Sequence, residues 1–187
     1  EEVSELLVGT FLEGTPVIPV SPVTGEGLDE LREALSKLPK QIQNPEKEKP
    51  FRLNVDRSFQ IKGFGTVVTG TVLSGTLSQD EELQQFPQLR NVRIRGLQSY
   101  GKEVKVVHAG QRAALNLVGI AKEKIQRGDQ LAQPESLLTS YMLNASLTLL
   151  EDVSAPLKKR TRVRLYLGSR EVFGRIVLLD GETLSPG

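Results

Sequence analysis

The sequence predicts a mainly β protein: a small closed β-barrel, preceded by a short α/β piece and followed by the opening of a second strand-rich unit. Three observations predict it. From Phe51 onward the apolar period is two, as in "FRLNVD", where Phe51, Leu53 and Val55 alternate with Arg52, Asn54 and Asp56. Short β-branched runs then recur between Gly-containing turns. No long helical pattern interrupts them before about Leu131.

The elements follow in order. "EEVSELL" carries Val3, Leu6 and Leu7 at helical spacing and breaks at Gly9. "TPVIPVS" is an apolar run of strand length between turn residues, expected as a buried strand. "GLDELREALSKL" places Leu28, Leu31, Leu35 and Leu38 on one helical face. Asp29 and Glu30 occupy its first turn, where the helix dipole favours anions, and Pro39 is the expected stop. Residues 1–40 therefore read as helix, strand, loop, helix, too little to cover both faces of a sheet. "PKQIQNPEKEKP" has three prolines, five charges and a lone aliphatic Ile42, which makes 41–50 a linker. The strands "TVVTGTVLSGTL", "NVRIRGLQ", "EVKVV" and "RAALNLV" fill the barrel, 51–134. "QPESLLTSY" marks a connector over 135–142. The second unit, 143–187, reads "LNASLTLL", "TRVRLYL" and "REVFGRIVLL".

Composition narrows the chemistry. The 187 residues hold no long apolar run, so no membrane span or partner membrane is expected. With no cysteine and one histidine, His108, neither a disulfide framework nor a metal site is expected. A cytoplasmic location accords with that composition. Residues 1–50 carry ten acidic and five basic side chains, whereas 51–187 carry thirteen and nineteen. The second part could face a polyanion, or be an ordinary solvated surface. The start at Glu1 and the stop in "LSPG" read as a piece of a longer protein.

"DRSFQIKGFGTVVTG" (56–70) poses the main question. A phosphate loop needs glycines where backbone N–H groups approach the anion, and a lysine. In "GTVVTGT" Thr71 stands where that lysine is required, and Val68 occupies the third glycine position of the dinucleotide pattern. The β-branched run also disfavours a helix that would bring a positive end to a phosphate. Gly63 and Gly65 are therefore expected to permit positive φ in a turn or bulge between strands. No nucleophile elbow, histidine–carboxylate pair or metal-ligand spacing is present, so no catalytic residue is assigned in this stretch of chain.

Several segments in order resemble the translational GTPases. "EEVSELL…TPVIPVSPVTGEGLDEL" is similar to the end of their G domain. "FRLNVDRSFQIKGFGTVVTGTVLSG" and "AGQRAALNLVGIAKEKIQRGDQL" are similar to the first and last strands of the translation-factor domain 2 β-barrel. "DR" at 56–57, "IKGFGTVVTG" and "GQR" at 110–112 draw the resemblance towards the bacterial selenocysteine-specific elongation factors (SelB) and away from elongation factor Tu. "VRLYLGSREVFGRIVLLDGETLSPG" resembles part of the domain 3 β-barrel of that family.

The resemblance implies that the intact protein is a GTPase using GTP and Mg2+. It would deliver selenocysteinyl-tRNA to a ribosome at recoded UGA codons and engage the selenocysteine-insertion mRNA hairpin through a C-terminal region beyond Gly187. The phosphate loop would precede Glu1, so no cofactor and no hydrolysis are expected of these residues alone. By the same resemblance Arg57 and Arg112 hold the selenocysteine side chain. Arginine stays charged and offers several donors, while a selenol is largely ionised at neutral pH and a serine or cysteine mostly neutral. On residues alone, each arginine reads first as a surface strand residue paired with a neighbouring acid such as Asp56 or Asp129. "SPVTGEG" matches the family's guanine-recognising loop through Ser21 and Val23, but Pro22 replaces the usual alanine and has no N–H to give. In "LKKRTRVRL", an extended chain would align Arg160, Arg162 and Arg164 on one face, either towards tRNA phosphates or as a charge-guarded edge. Two other classes stay open: a different translational GTPase, elongation factor Tu-like or an initiation factor subunit, and a β-barrel module that binds protein and no RNA.

Overall fold

The alternation that begins at Phe51 becomes the wall of a closed barrel. The computed structural model describes residues 2–41 and 46–187. The chain divides into two units, Glu1–Asn44 and Pro45–Gly187. The linker expected at 41–50 lies outside the described residues over 42–45.

In the first unit, α1 (Glu2–Leu7) is closed by the Thr10 hydroxyl, which donates to the Leu7 carbonyl at 2.7 Å, and Gly9 turns the chain out at φ 72°. The helix expected from the leucine pattern is α2 (Leu28–Gln41). Pro39 lies within α2 and does not end it. So late in a helix, a missing N–H forfeits one bond of the last turn and leaves the preceding turns intact. The strand expected in "TPVIPVS" is absent: residues 15–21 have no ladder, and Val17 and Val20 are about half exposed. An apolar run becomes a strand only beside a partner, and the described part of this unit provides none.

In the second unit the strands are β1 (Arg52–Ile61), β2 (Gly65–Ser74), β3 (Thr76–Ser78), β4 (Glu82–Phe86), β5 (Arg90–Ser99), β6 (Lys102–Val104), β7 (Val106–His108), β8 (Arg112–Val118) and β9 (Gln130–Ala132). A single 3₁₀ turn, Lys122–Lys124, precedes β9. The order β4-β9-β1-β2-β8-β5 closes on itself through the β4–β5 pairing, with β6 added at the outer edge of β5. Closure removes the open edges that a six-stranded sheet would otherwise present. Leu53, Val55, Val68, Ile94, Leu115 and Leu131 fill the interior with no exposed surface. Each such side chain contributes about 1.5–3 kcal/mol of burial.

Beyond the barrel come β10 (Leu157–Lys158), β11 (Arg162–Leu167), β12 (Arg170–Arg175) and β13 (Thr183–Leu184). They form two separate ribbons, β10–β13 and β11–β12. The strand expected in "LNASLTLL" is not formed, and Leu143, Leu147 and Leu150 stay exposed. "REVFGRIVLL" is a strand only as far as Arg175. No helix among the described residues is long and apolar enough to cross a membrane.

Candidate functional site

The β1–β2 hairpin settles the glycine question first. Gly63 and Gly65 have φ of 85° and 86°, so both sit in the left-handed region of a turn. The residues after Gly65 run straight into β2, so "GTVVTG" is barrel wall and cradles no phosphate.

Register then decides where the arginines point. Leu53 and Val55 of β1 face the core. Val55 pairs with Gly70 and Arg57 with Thr69, which leaves Asp56 as an extra residue, a β-bulge. Period-two alternation from Val55 would have sent Arg57 inward. The bulge reverses the parity, so Arg57 shares the outer face with Thr69 while Ser58, opposite Val68, turns inward. On the other side of β2, Thr71 pairs with Arg112 of β8. Arg57 and Arg112 therefore flank β2 two residues apart. At about 4.8 Å per strand and about 3.3 Å per residue, their Cα atoms are about 12 Å apart, within range of two long side chains meeting over one point.

Asp56 takes Arg112 in hydrogen bonds and feels Arg57 only through its charge. Arg112 Nη1 and Nη2 donate to its two carboxylate oxygens at 2.5 and 3.1 Å, a bidentate pair. The Thr69 hydroxyl donates to Asp56 Oδ1 at 2.7 Å, and Arg112 Nη2 also reaches Thr69 Oγ1 at 3.4 Å. Partial burial pushes the Asp56 carboxyl up, but the Arg112 and Thr69 hydrogen bonds, with the charges of Arg112 and Arg57, outweigh it and hold the group below the usual carboxylate range. The hydrogen bond and charge of Asp56 in turn raise the Arg112 guanidinium. The pair with Asp56, weighed as an alternative role for these arginines, thus exists for Arg112. The alternative through Asp129 does not: that carboxylate is fully buried and binds Gln85, Gln126 N and Arg170 instead. Thr69 was not legible as part of the site; its only trace in the sequence is its place beside β-branched neighbours.

The remaining residues are scattered. Ser21 N donates to the Glu26 carbonyl at 3.0 Å, so that N–H is engaged within its own turn, and Val23 is exposed. Arg162 and Arg164 share an exposed face of β11, over the Phe173 ring at 4.4 and 5.4 Å, and Arg164 also pairs with Glu171 at 3.3 Å. Arg160 does not join them. It adopts φ 66° in the turn before β11, and alternation begins only at Arg162. His108 bonds Thr76 Oγ1 through Nδ1 at 3.1 Å across the β3–β7 ladder.

Similarity to known proteins follows this geometry. The family model of elongation factor Tu domain 2 matches residues 65–132, which form most of the barrel. The selenocysteine-specific elongation factor of Desulfomicrobium baculatum is 42% identical over all 187 residues. The chain belongs to the selenocysteine-specific elongation factor family. The Escherichia coli factor of the same name is 35% identical over 159 residues, 83% of this chain and 25% of that protein. The crystal structure of a bacterial selenocysteine-specific elongation factor superposes with a TM-score of 0.77 at 30% identity, covering 97% of this chain and 30% of that one. The apo SelB structure from Methanococcus maripaludis gives 0.76 at 25% identity. The chain spans about 30% of the length of the Desulfomicrobium relative.

Proposed function

We propose that this chain is the tRNA-reading section of a selenocysteine-specific elongation factor, and that Arg57 and Arg112 hold the ionised selenocysteine side chain on the outer face of the barrel. The observation that carries this reading is the Arg112–Asp56 pair, with Arg57 on the same outer face and its charge acting on the same carboxylate. Two guanidiniums and one carboxylate leave a net charge of +1, which an incoming selenolate neutralises. A neutral serine side chain cannot compete with Asp56 for the donors of Arg112, so discrimination runs through charge rather than size. Because Arg112 is 54% exposed, the desolvation that strengthens the contact comes from the docking tRNA end itself.

In this reading residues 1–40 are the tail of a GTPase domain and 41–50 a linker. Residues 51–134 are the acceptor barrel, 135–142 a connector and 143–187 part of a second barrel. Arg162 and Arg164, stacked on Phe173, contact tRNA phosphates. The intact factor binds GTP and Mg2+ elsewhere: β2 offers no phosphate cradle and the Ser21 turn spends its N–H internally. It works in the cytoplasm and delivers selenocysteinyl-tRNA to the ribosome at recoded UGA codons. Its contact with the selenocysteine-insertion mRNA hairpin lies outside these residues.

The test is equilibrium binding of the full-length protein to selenocysteinyl-tRNA and to seryl-tRNA on the same tRNA body. The selenocysteinyl form is expected to bind more tightly. Arg57→Ala or Arg112→Ala should cut that preference roughly ten- to a hundredfold, the range of a hydrogen bond to a charged group. Equal affinity of the unaltered protein for both tRNAs refutes the selenocysteine reading and returns the chain to the wider class of translational GTPases.

A further inference from the structure

The bulge at Asp56 is what turns Arg57 outward, so whatever holds the bulge holds the site. The residue leading into it, Val55, is bonded at both backbone polar atoms. Val55 N donates to the Asp129 carbonyl and the Val55 carbonyl accepts from Gly128 N, both at 2.9 Å. A second donor to the same carbonyl comes from outside the barrel: the Ser169 hydroxyl, at 2.7 Å, from the turn joining β11 to β12. That turn is seated firmly. Arg170 Nη1 donates to the buried Asp129 at 3.2 Å and Arg127 Nε to the Ser169 carbonyl at 3.3 Å. Gly168 lies so close to the barrel that a Cβ there would collide with the Asn54 amide, and its φ is 59°.

We infer that the β11–β12 turn is a clamp on the charge-reading bulge, with Ser169 as a positioning residue that fixes the direction of Arg57 through the Val55 carbonyl. This rests on the reading of Arg57 and Arg112 given above. Without the Ser169 hydroxyl, the Val55 carbonyl keeps Gly128 N, so no buried acceptor is orphaned and the barrel stays closed. What is lost is one of two restraints on the residue that sets side-chain parity. Arg57 then samples orientations off the outer face it shares with Thr69, and the preference for an anionic aminoacyl group falls.

The experiment measures, in the full-length protein, the ratio of affinities for selenocysteinyl-tRNA and seryl-tRNA. Ser169→Ala is expected to lower the ratio about three- to tenfold, the equivalent of one hydrogen bond, while seryl-tRNA binding holds steady. Ser169→Thr, which keeps the hydroxyl, should restore it. Adding Ser169→Ala to Arg57→Ala should change the ratio no further, since the clamp acts through that side chain. An unchanged ratio in Ser169→Ala, or a parallel loss of both affinities, overturns the clamp. If Ser169→Ala does not yield folded protein, Gly168→Ala, which lifts the turn off Asn54, decides the question by the same ratio. Should Arg57→Ala and Arg112→Ala themselves leave the ratio intact, the selenocysteine reading fails. Should they abolish it while Ser169→Ala does nothing, only the clamp fails.

Discussion

Asp129→Ala is the sharpest test of how the second unit is held together. The carboxylate has no exposed surface and accepts from Gln85 Nε2 at 2.7 Å, Gln126 N at 3.0 Å and Arg170 Nη1 at 3.2 Å. Gln88 Nε2, at 3.5 Å, is too distant to count. Three bonds to a charged acceptor at about 1.5–3 kcal/mol each give a gross loss of roughly 4.5–9 kcal/mol. Removing the buried carboxylate also removes its desolvation cost, several kcal/mol. The groups left behind differ. Gln85 keeps the Lys124 carbonyl and Arg170 is 35% exposed, so both are partly satisfied, and the part-buried Gln126 N–H loses its acceptor. The net expectation is about 3 kcal/mol of lost stability. In a unit of this size that lowers the midpoint of thermal unfolding by roughly 6–12 °C. The assay is thermal unfolding followed by circular dichroism, with Asp129→Asn alongside. Asparagine keeps one acceptor oxygen but turns an NH2 towards a donor, so it should fall between wild type and alanine. A loss below about 1 kcal/mol for Asp129→Ala would show that the cluster is not the structural tie inferred here.

Three further expectations follow from the same geometry. Because the folded Asp56 carboxyl titrates below its unfolded value, the Asp56–Arg112 pair stabilises fully above about pH 3.9, and its contribution is lost as pH falls through the folded value. The stability gap between wild type and Arg112→Ala, expected at about 0.2–1 kcal/mol for so exposed a pair, should therefore close in acid urea titrations; a gap that widens there contradicts the assignment. Gly70→Ala would place a Cβ against the Asn54 carbonyl oxygen and 2.7 Å from Leu53 Cδ2, and should cost about 3 kcal/mol in chemical denaturation. Arg162→Ala in the full-length protein should lower the slope of log affinity against log salt for tRNA by about one, while an unchanged slope assigns that face to solvent.

The barrel was legible because each strand writes its own burial into its residues. Phe51, Leu53 and Val55 alternate with polar neighbours and all three are buried, and "RAALNLV" coincides with β8. The turn at Gly63 and Gly65 was legible for an equally local reason, since both positions take φ that few side chains tolerate. The candidate site was legible only through resemblance. Nothing in the period of β1 announces that Asp56 is supernumerary, and without that bulge Arg57 would be assigned to the core.

What the sequence alone determined is therefore the set of properties carried by neighbouring residues: strand periodicity, turn positions and the permanent charge of two arginines. Tertiary structure decided everything that depends on a partner far along the chain. It withheld ladders from 15–21 and from 143–150, whose apolar runs are as strand-like as those of the barrel. It inserted Asp56 against β2, paired it with Arg112, and set Ser169 on the Val55 carbonyl, 114 residues away. The physical reason is that side-chain alternation records only which face is wet, whereas register and hydrogen-bond partners are fixed by the second strand that arrives.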